Sequence, residues 1–151
     1  MAKRKKAKVA RFRKADRDNA VLTLEGGGFA YRRQPCGGCP FRVDQIGQFP
    51  AEAFRLSAGT AEDGAMSTFA CHESGHPYPQ TCAGFILRNA DNNMRIRLAE
   101  ATGQLDRSEV HDGGCELHES YRAMAVANGV PADDPAIAKC RGNNDEYDFQ
   151  R

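Results

Sequence analysis

The chain has no tryptophan, 8% aromatic residues and a mean hydropathy of −0.63 over 151 residues. That composition permits one domain with a modest apolar core, in a chain long enough to bury roughly 70% of its unfolded surface. No stretch approaches the roughly 18 consecutive apolar residues of a membrane span. The N-terminus is basic but no apolar run follows it, so it does not read as a secretory signal, and a cytoplasmic location is expected. No internal repeat is present. Glycine (15) and proline (7) are plentiful instead, as in loop-rich domains that need a staple beyond their core.

The net charge of +1 conceals an asymmetry. Residues 1–17 carry nine basic residues and the single acid Asp16, giving +8, and residues 18–151 give −7. The basic cluster Lys3, Arg4, Lys5, Lys6, Lys8, Arg11, Arg13 and Lys14 is a candidate contact for nucleic acid or an acidic protein surface. The bland alternative is a solubilising tail, or one folded back on the acidic body. With no apolar periodicity, residues 1–18 read as a disordered arm, 19–141 as a single Cys-rich domain and 142–151 as a mobile polar tail.

Within the body, Asn19–Glu25 and Phe29–Arg33 alternate around three glycines and read as a β-hairpin. A short helix is expected over Phe49–Leu56, with Pro50 at its first position. Ser67–His72 reads as a short strand. A helix starts near Thr81, and Met94–Ala101 either continues it past a kink or forms a second helix. Glu116–Asn128 is the clearest helical pattern, stopped by Gly129, and Pro135–Cys140 is a final turn. The expected class is therefore α+β: a small metal-stapled domain with an N-terminal hairpin and two to four helices.

Six cysteines without an export signal favour a reducing compartment, where metal binding or catalysis outranks disulfides. Cys36-x2-Cys39, then Cys71-x10-Cys82, offers four thiolates from turn-rich segments, enough to close a tetrahedral zinc site. Gly37 and Gly38 let the amides of the first turn approach the sulfurs, and a helix beginning at Cys82 favours its thiolate. The same ligands can hold an iron–sulfur cluster. His72 and His76 can each replace a cysteine, although exposed or hydrogen-bonded imidazoles are the simpler reading of both.

Two catalytic alternatives are weaker. Cys-Gly-Gly-Cys has the spacing of a thioredoxin-type dithiol but lacks a βαβ context. A Cys71–His72 or Cys71–His76 nucleophile lacks an orienting acid. A second Cys2His2 site from His111, Cys115, His118 and Cys140 is conceivable, set against free cysteine and surface histidine as ordinary residues.

The ordered set Pro35-Cys36-x2-Cys39-Pro40-Phe41-Arg42, Phe49-Pro50-x-Glu52-x-Phe54, Phe69-Ala70-Cys71-His72 and Cys82-Ala83-Gly84-Phe85-Ile86-Leu87 resembles a small domain of unknown function found in bacteriophages and bacteria. The resemblance spans roughly Gln34 to Leu98 and carries over Cys36, Cys39, Cys71, His72 and Cys82. In that domain Trp usually follows Cys-Pro; here Phe41 stands instead. It names no activity. The reading that results is a non-enzymatic phage or bacterial accessory protein with structural Zn2+, contacting nucleic acid or a nucleoprotein assembly through its arm. An iron–sulfur redox or sensor protein and a virion structural protein are the alternatives.

Overall fold

A computed structural model describes residues 5–141. Its elements are strands β1 (Ala7–Lys14) and β2 (Ala20–Gly26) and helices α1 (Ala51–Ser57), α2 (Ala83–Asn89), α3 (Met94–Ala101) and α4 (Tyr121–Ala127). Short 3-10 turns lie at Val43–Gln45, Ala58–Ala61, Arg107–Glu109 and Pro135–Ile137. The class is α+β, with an N-terminal hairpin and four helices, as the sequence implies. The tail over 142–151, and Lys3 and Arg4, lie outside the described residues.

The hairpin uses different strands from those expected. Its first strand is the basic segment that reads as a disordered arm, and it pairs antiparallel with Ala20–Gly26. Asp16 explains the turn. Its Oδ1 accepts from the Asp18 and Asn19 amides at 2.9 and 2.7 Å, while Ala15 N–H donates to Asn19 O at 2.9 Å. A register shift between Val9 and Arg11 leaves Ala10 as an extra residue. That bulge is why simple alternation is not visible in β1. The base of the hairpin is tied to the body by Ala7 N–H donating to Pro77 O at 2.8 Å, with Ala7 buried.

The expected second strand, Phe29–Arg33, serves a different junction. Thr81 N–H donates to Ala30 O at 2.8 Å, and Arg32 N–H donates to Thr81 O at 3.0 Å. On the far side of Thr81, Cys71 N–H donates to Gln80 O (2.7 Å) and Cys82 N–H to Phe69 O (2.9 Å). Ser67–His72 is thus extended without being a strand; only the bridge Ala70–Thr81 is regular.

Two helices replace the ambiguous stretch after Thr81. The break falls at Asn92 and Asn93. Asn93 Oδ1 caps α3 by accepting from Ile96 N–H at 3.0 Å, and its Nδ2 donates to Thr60 O and Ser67 O at 3.1 and 2.8 Å. The last helix begins at Tyr121, five residues after the expected Glu116, because Glu116–His118 is held as extended chain. Val43 N–H donates to Glu116 O (3.0 Å) and His118 N–H to Phe41 O (2.8 Å). Ser120 then caps α4 by accepting from Ala123 N–H at 3.0 Å. Pro50 sits at the cap of α1 rather than inside it.

The core is aromatic and centres on Phe41, which is fully buried. Phe69, Phe85 and Tyr121 meet it edge-on at centroid distances of 5.6, 6.4 and 6.3 Å. Tyr121 Oη donates to Phe54 O at 2.7 Å, fastening α4 to α1. Helix α2 passes so close to Phe41 that a Cβ on Gly84 would lie 2.6 Å from the Phe41 Cβ. That glycine is required by contact, not by backbone angle.

Substituting Gly84→Ala is expected to destabilise the chain by about 1–3 kcal/mol through overpacking. Asn93→Ala should cost about 2 kcal/mol, from the lost cap and the carbonyls it leaves without a donor. Urea unfolding midpoints at constant m-value measure both, and a wild-type midpoint for Gly84→Ala would contradict the packing described.

Candidate metal centre

The Thr81 junction sets the site. Because residues 69–71 and 80–82 run side by side, Cys71 and Cys82 are delivered from adjacent chains, and the Cys36–Cys39 turn packs against them. That turn closes through Cys39 N–H to Cys36 O at 3.1 Å and Arg42 N–H to Cys39 O at 3.0 Å. Cys36, Cys39, Cys71 and Cys82 are all buried, and none of the six cysteines is in a disulfide among the described residues. A Cβ on Gly38 would lie 2.8 Å from Gln48 Nε2 and 3.2 Å from His72 Nε2. The close approach that needs this glycine is therefore to side chains.

The sulfurs form two adjoining pairs. Cys39 and Cys82 Sγ are 3.6 Å apart. Tetrahedral zinc with Zn–S near 2.3 Å requires sulfur–sulfur edges of roughly 3.8 Å. The Cys39–Cys82 spacing matches one such edge, but no three of the four sulfurs lie within 4.8 Å of one another. The second pair is Cys36 with Cys71, whose thiol acts directly on it. Cys36 Sγ also lies 3.9 Å from His72 Nδ1. With Glu73 these form a set whose ligand atoms all lie within 4.8 Å of one another, buried at Cys36 and exposed at His72 and Glu73. A metal ion can be held at this set, and its mixed sulfur, nitrogen and oxygen donors suit a borderline divalent ion.

Electrostatics distinguish the pairs. Cys39 is drawn down to about 7, first by the hydrogen bond from the Cys82 thiol and then by the amides of Phe41 and Arg42 and the Arg42 charge, against the cost of burial. Cys82 is pushed well above the usual thiol range because it donates that hydrogen bond and is buried. The amides of Gly84 and Phe85 pull the other way without prevailing. The helix start at Cys82 favours its thiolate by sequence; in the fold Cys39 is instead the more readily ionised of the pair. Burial, then Cys71 and Cys39, push Cys36 up to about 12.

His72 stands edge-on to Phe49 at 5.2 Å, which orients its ring. Its adjacency to Cys71 argued against shared coordination from the sequence, yet it is Cys36, not Cys71, that its Nδ1 approaches. Glu73 was not foreseen. A carboxylate directly after Cys-His is the only sequence signal, and it is weak.

His111, Cys115, His118 and Cys140 are dispersed. Cys140 Sγ faces Ala58 O at 3.3 Å, deep beneath α1. His118 is buried, its pKa lowered by that burial, and its Nε2 has no partner among the described residues. His111 Nδ1 accepts from Gly113 N–H at 3.1 Å, and Cys115 is half-buried. No three of these four form a set within 4.8 Å among the described residues. The extended pairing of Glu116–His118 with the chain after Phe41 accounts for part of this, since it removes Cys115 and His118 from the expected helix.

The thiols give the metal-free chain a definite pH profile. Cys36 has a folded pKa of about 12 against 9.0 unfolded, so its contribution is complete below pH 9 and is lost as pH rises from 9 towards 12. Cys39, lowered to about 7 from 9.0, contributes above pH 9 and loses that contribution as pH falls through 7. Chelated, reduced protein is expected to lose stability on both sides of a maximum between these limits. Urea midpoints from pH 6 to 10.5 measure it, and Cys39→Ser should flatten the acid side and soften the alkaline loss, because Cys39 also raises Cys82 and Cys36.

Residues 31–141 match a family described as a family of unknown function (DUF6283). No curated protein and no solved structure matches the chain. The matched span contains every residue of the metal centre and begins after the hairpin.

Proposed function

We propose that this chain, which belongs to the DUF6283 family of unknown function, is a structural zinc protein whose basic hairpin contacts nucleic acid. The observation that carries the zinc reading is the 3.6 Å Cys39–Cys82 contact beside a second buried cysteine, Cys36, in contact with Cys71. In this reading Cys36, Cys39, Cys71 and Cys82 are the ligands, and His72 and Glu73 stand at the rim of the site. Bound metal would replace the Cys82 proton that now links the pair and would hold the Thr81 junction to the Cys36–Cys39 turn. Such binding contributes on the order of 10 kcal/mol to folding in small domains.

Iron–sulfur ligation is the second reading, and the paired arrangement of sulfurs favours it specifically. A [2Fe–2S] cluster takes two thiolates on each iron, so its ligands come as two pairs. The protein would then be a redox or sensing element.

The nucleic-acid reading rests on the hairpin. Val9 faces Leu24 and Phe12 faces Leu22 across the strands, so these four share one surface, on which Val9, Phe12 and Leu22 are exposed. Lys5, Lys6, Lys8, Arg11 and Lys14 are exposed around it. Phe12, at 63% exposure, offers a ring for base stacking within a cationic surround. Arg13 is set apart, since its Nη2 donates to Leu56 O at 2.9 Å.

Two experiments separate these readings. Protein purified anaerobically should be colourless with one zinc per chain, and Cys82→Ser should lose it; visible absorbance with iron would transfer the assignment to the cluster. For the hairpin, replacing Lys8, Arg11 and Lys14 by Gln should lower the slope of log K against log salt by about 2–3 for duplex DNA. Phe12→Ala should weaken single-stranded DNA selectively, by about 1–3 kcal/mol. Unaltered binding in both variants would remove nucleic acid from the proposal.

A further inference from the structure

Between the hairpin and the body runs a cleft of about 900 Å³ whose lining takes in Leu22 and Leu24 of β2 and Cys71 and His72 of the candidate metal site. One wall is β2 and the glycine run that leads to Phe29; the other is α1 with the Met66–His72 segment. Its volume falls within the range of small-molecule sites, roughly 300–1,000 Å³. The walls are substantially apolar, with Leu24, Phe29, Phe49 and Phe69 among them.

The charges in the cleft are unbalanced. Arg13, Arg55 and Arg95 line it, against the single carboxylate of Glu62. Arg55 is neutralised outside the cleft, by Glu52 at 3.2 Å and Asp134 at 2.7 Å. Neither Arg13 nor Arg95 has an ion pair among the described residues. The Arg95 guanidinium lies over the Phe29 ring, 4.8 Å from its centroid. Arg13 donates to Leu56 O through Nη2, and its buried Nε–H has no acceptor among the described residues. Both guanidinium charges are therefore held at the cleft wall by neutral groups alone.

We propose that this cleft binds a small aromatic anion. Its phosphate or carboxylate would lie in the field of Arg13 and Arg95, which have no counter-charge among the described residues, while its ring packs on the phenylalanine walls. Phosphate and carboxylate share the chemistry that guanidinium recognises. Since β2 forms one wall and the hairpin precedes the span matched by the family, the site belongs to the way this chain joins its hairpin to the family's body. Cys71 and His72 also line the cleft, so a bound ligand would lie beside the metal centre without being required by it.

The test compares two probes with the same aromatic body on the full-length chain: 1-anilinonaphthalene-8-sulfonate, and its uncharged counterpart N-phenyl-1-naphthylamine. Fluorescence titration should show one saturable site that prefers the sulfonate. Arg13→Gln and Arg95→Gln should each reduce that preference at least several-fold while retaining affinity for the neutral probe. Arg95 is half-buried on α3 and has no ion pair among the described residues, so its variant decides the matter if Arg13→Gln fails to fold. Displacement of the sulfonate by adenosine monophosphate assigns the site to aromatic phosphates; displacement by benzoate assigns it to carboxylates. Equal binding of the two probes, wild-type preference in the variants, no saturable binding, or displacement by neither competitor overturns the proposal.

Discussion

The contact between Phe41 and the start of α2 is the constraint on which the remaining structure depends. Phe41 directly follows the Cys36–Cys39 turn and Pro40, and Gly84 follows Cys82 by two residues. Bringing a fully buried ring against a helix that has no side chain at that point sets the two cysteine-bearing segments side by side. Phe69, two residues before Cys71, stacks on Phe85 and meets Phe41 edge-on, so the third segment is aligned by the same aromatic group. The proximity of Cys39 to Cys82, and of the segment carrying Cys71 to both, is thus a consequence of core packing.

That arrangement explains the unequal thiols. Cys39 and Cys82 are in contact, and the lower pKa falls to Cys39, which accepts from the amides of its own turn and lies in the field of Arg42. Arg42 is itself held by Asp44 at 2.9 and 2.6 Å, so its orientation is fixed from the solvent side. The Cys36 end is different in kind. It opens towards His72 and Glu73, which are exposed, whereas the Cys39 end is closed by the core. The candidate site therefore has a buried side at Cys39 and Cys82 and an exposed side at His72 and Glu73.

The hairpin relates to this body as an attachment. It is joined at its base by Ala7 to Pro77 and along its side by Arg13 to Leu56, and its other surface is left apolar and cationic. A two-stranded ribbon is marginal by itself. The body supplies what the ribbon lacks, and the ribbon closes a cleft that the body alone does not have.

By itself the sequence determined the class and marked the cysteine-bearing turns, because Cys-x2-Cys and a Cys at a helix start are local features. It also marked the helical stretches that form α1 and α3, without separating α3 from α2. Only tertiary structure decided that the basic segment is a strand, since its alternation is broken by a bulge and its partner is found by a turn built on Asp16. Only tertiary structure moved the start of α4, because Glu116–His118 pairs with residues more than 70 positions earlier in the chain. The rim formed by Cys36, His72 and Glu73, and the dispersal of His111, Cys115, His118 and Cys140, were decided in the same way. Spacing along a chain fixes which side chains can meet only within a turn or a helix; across longer gaps the outcome belongs to the packing of Phe41 and its neighbours.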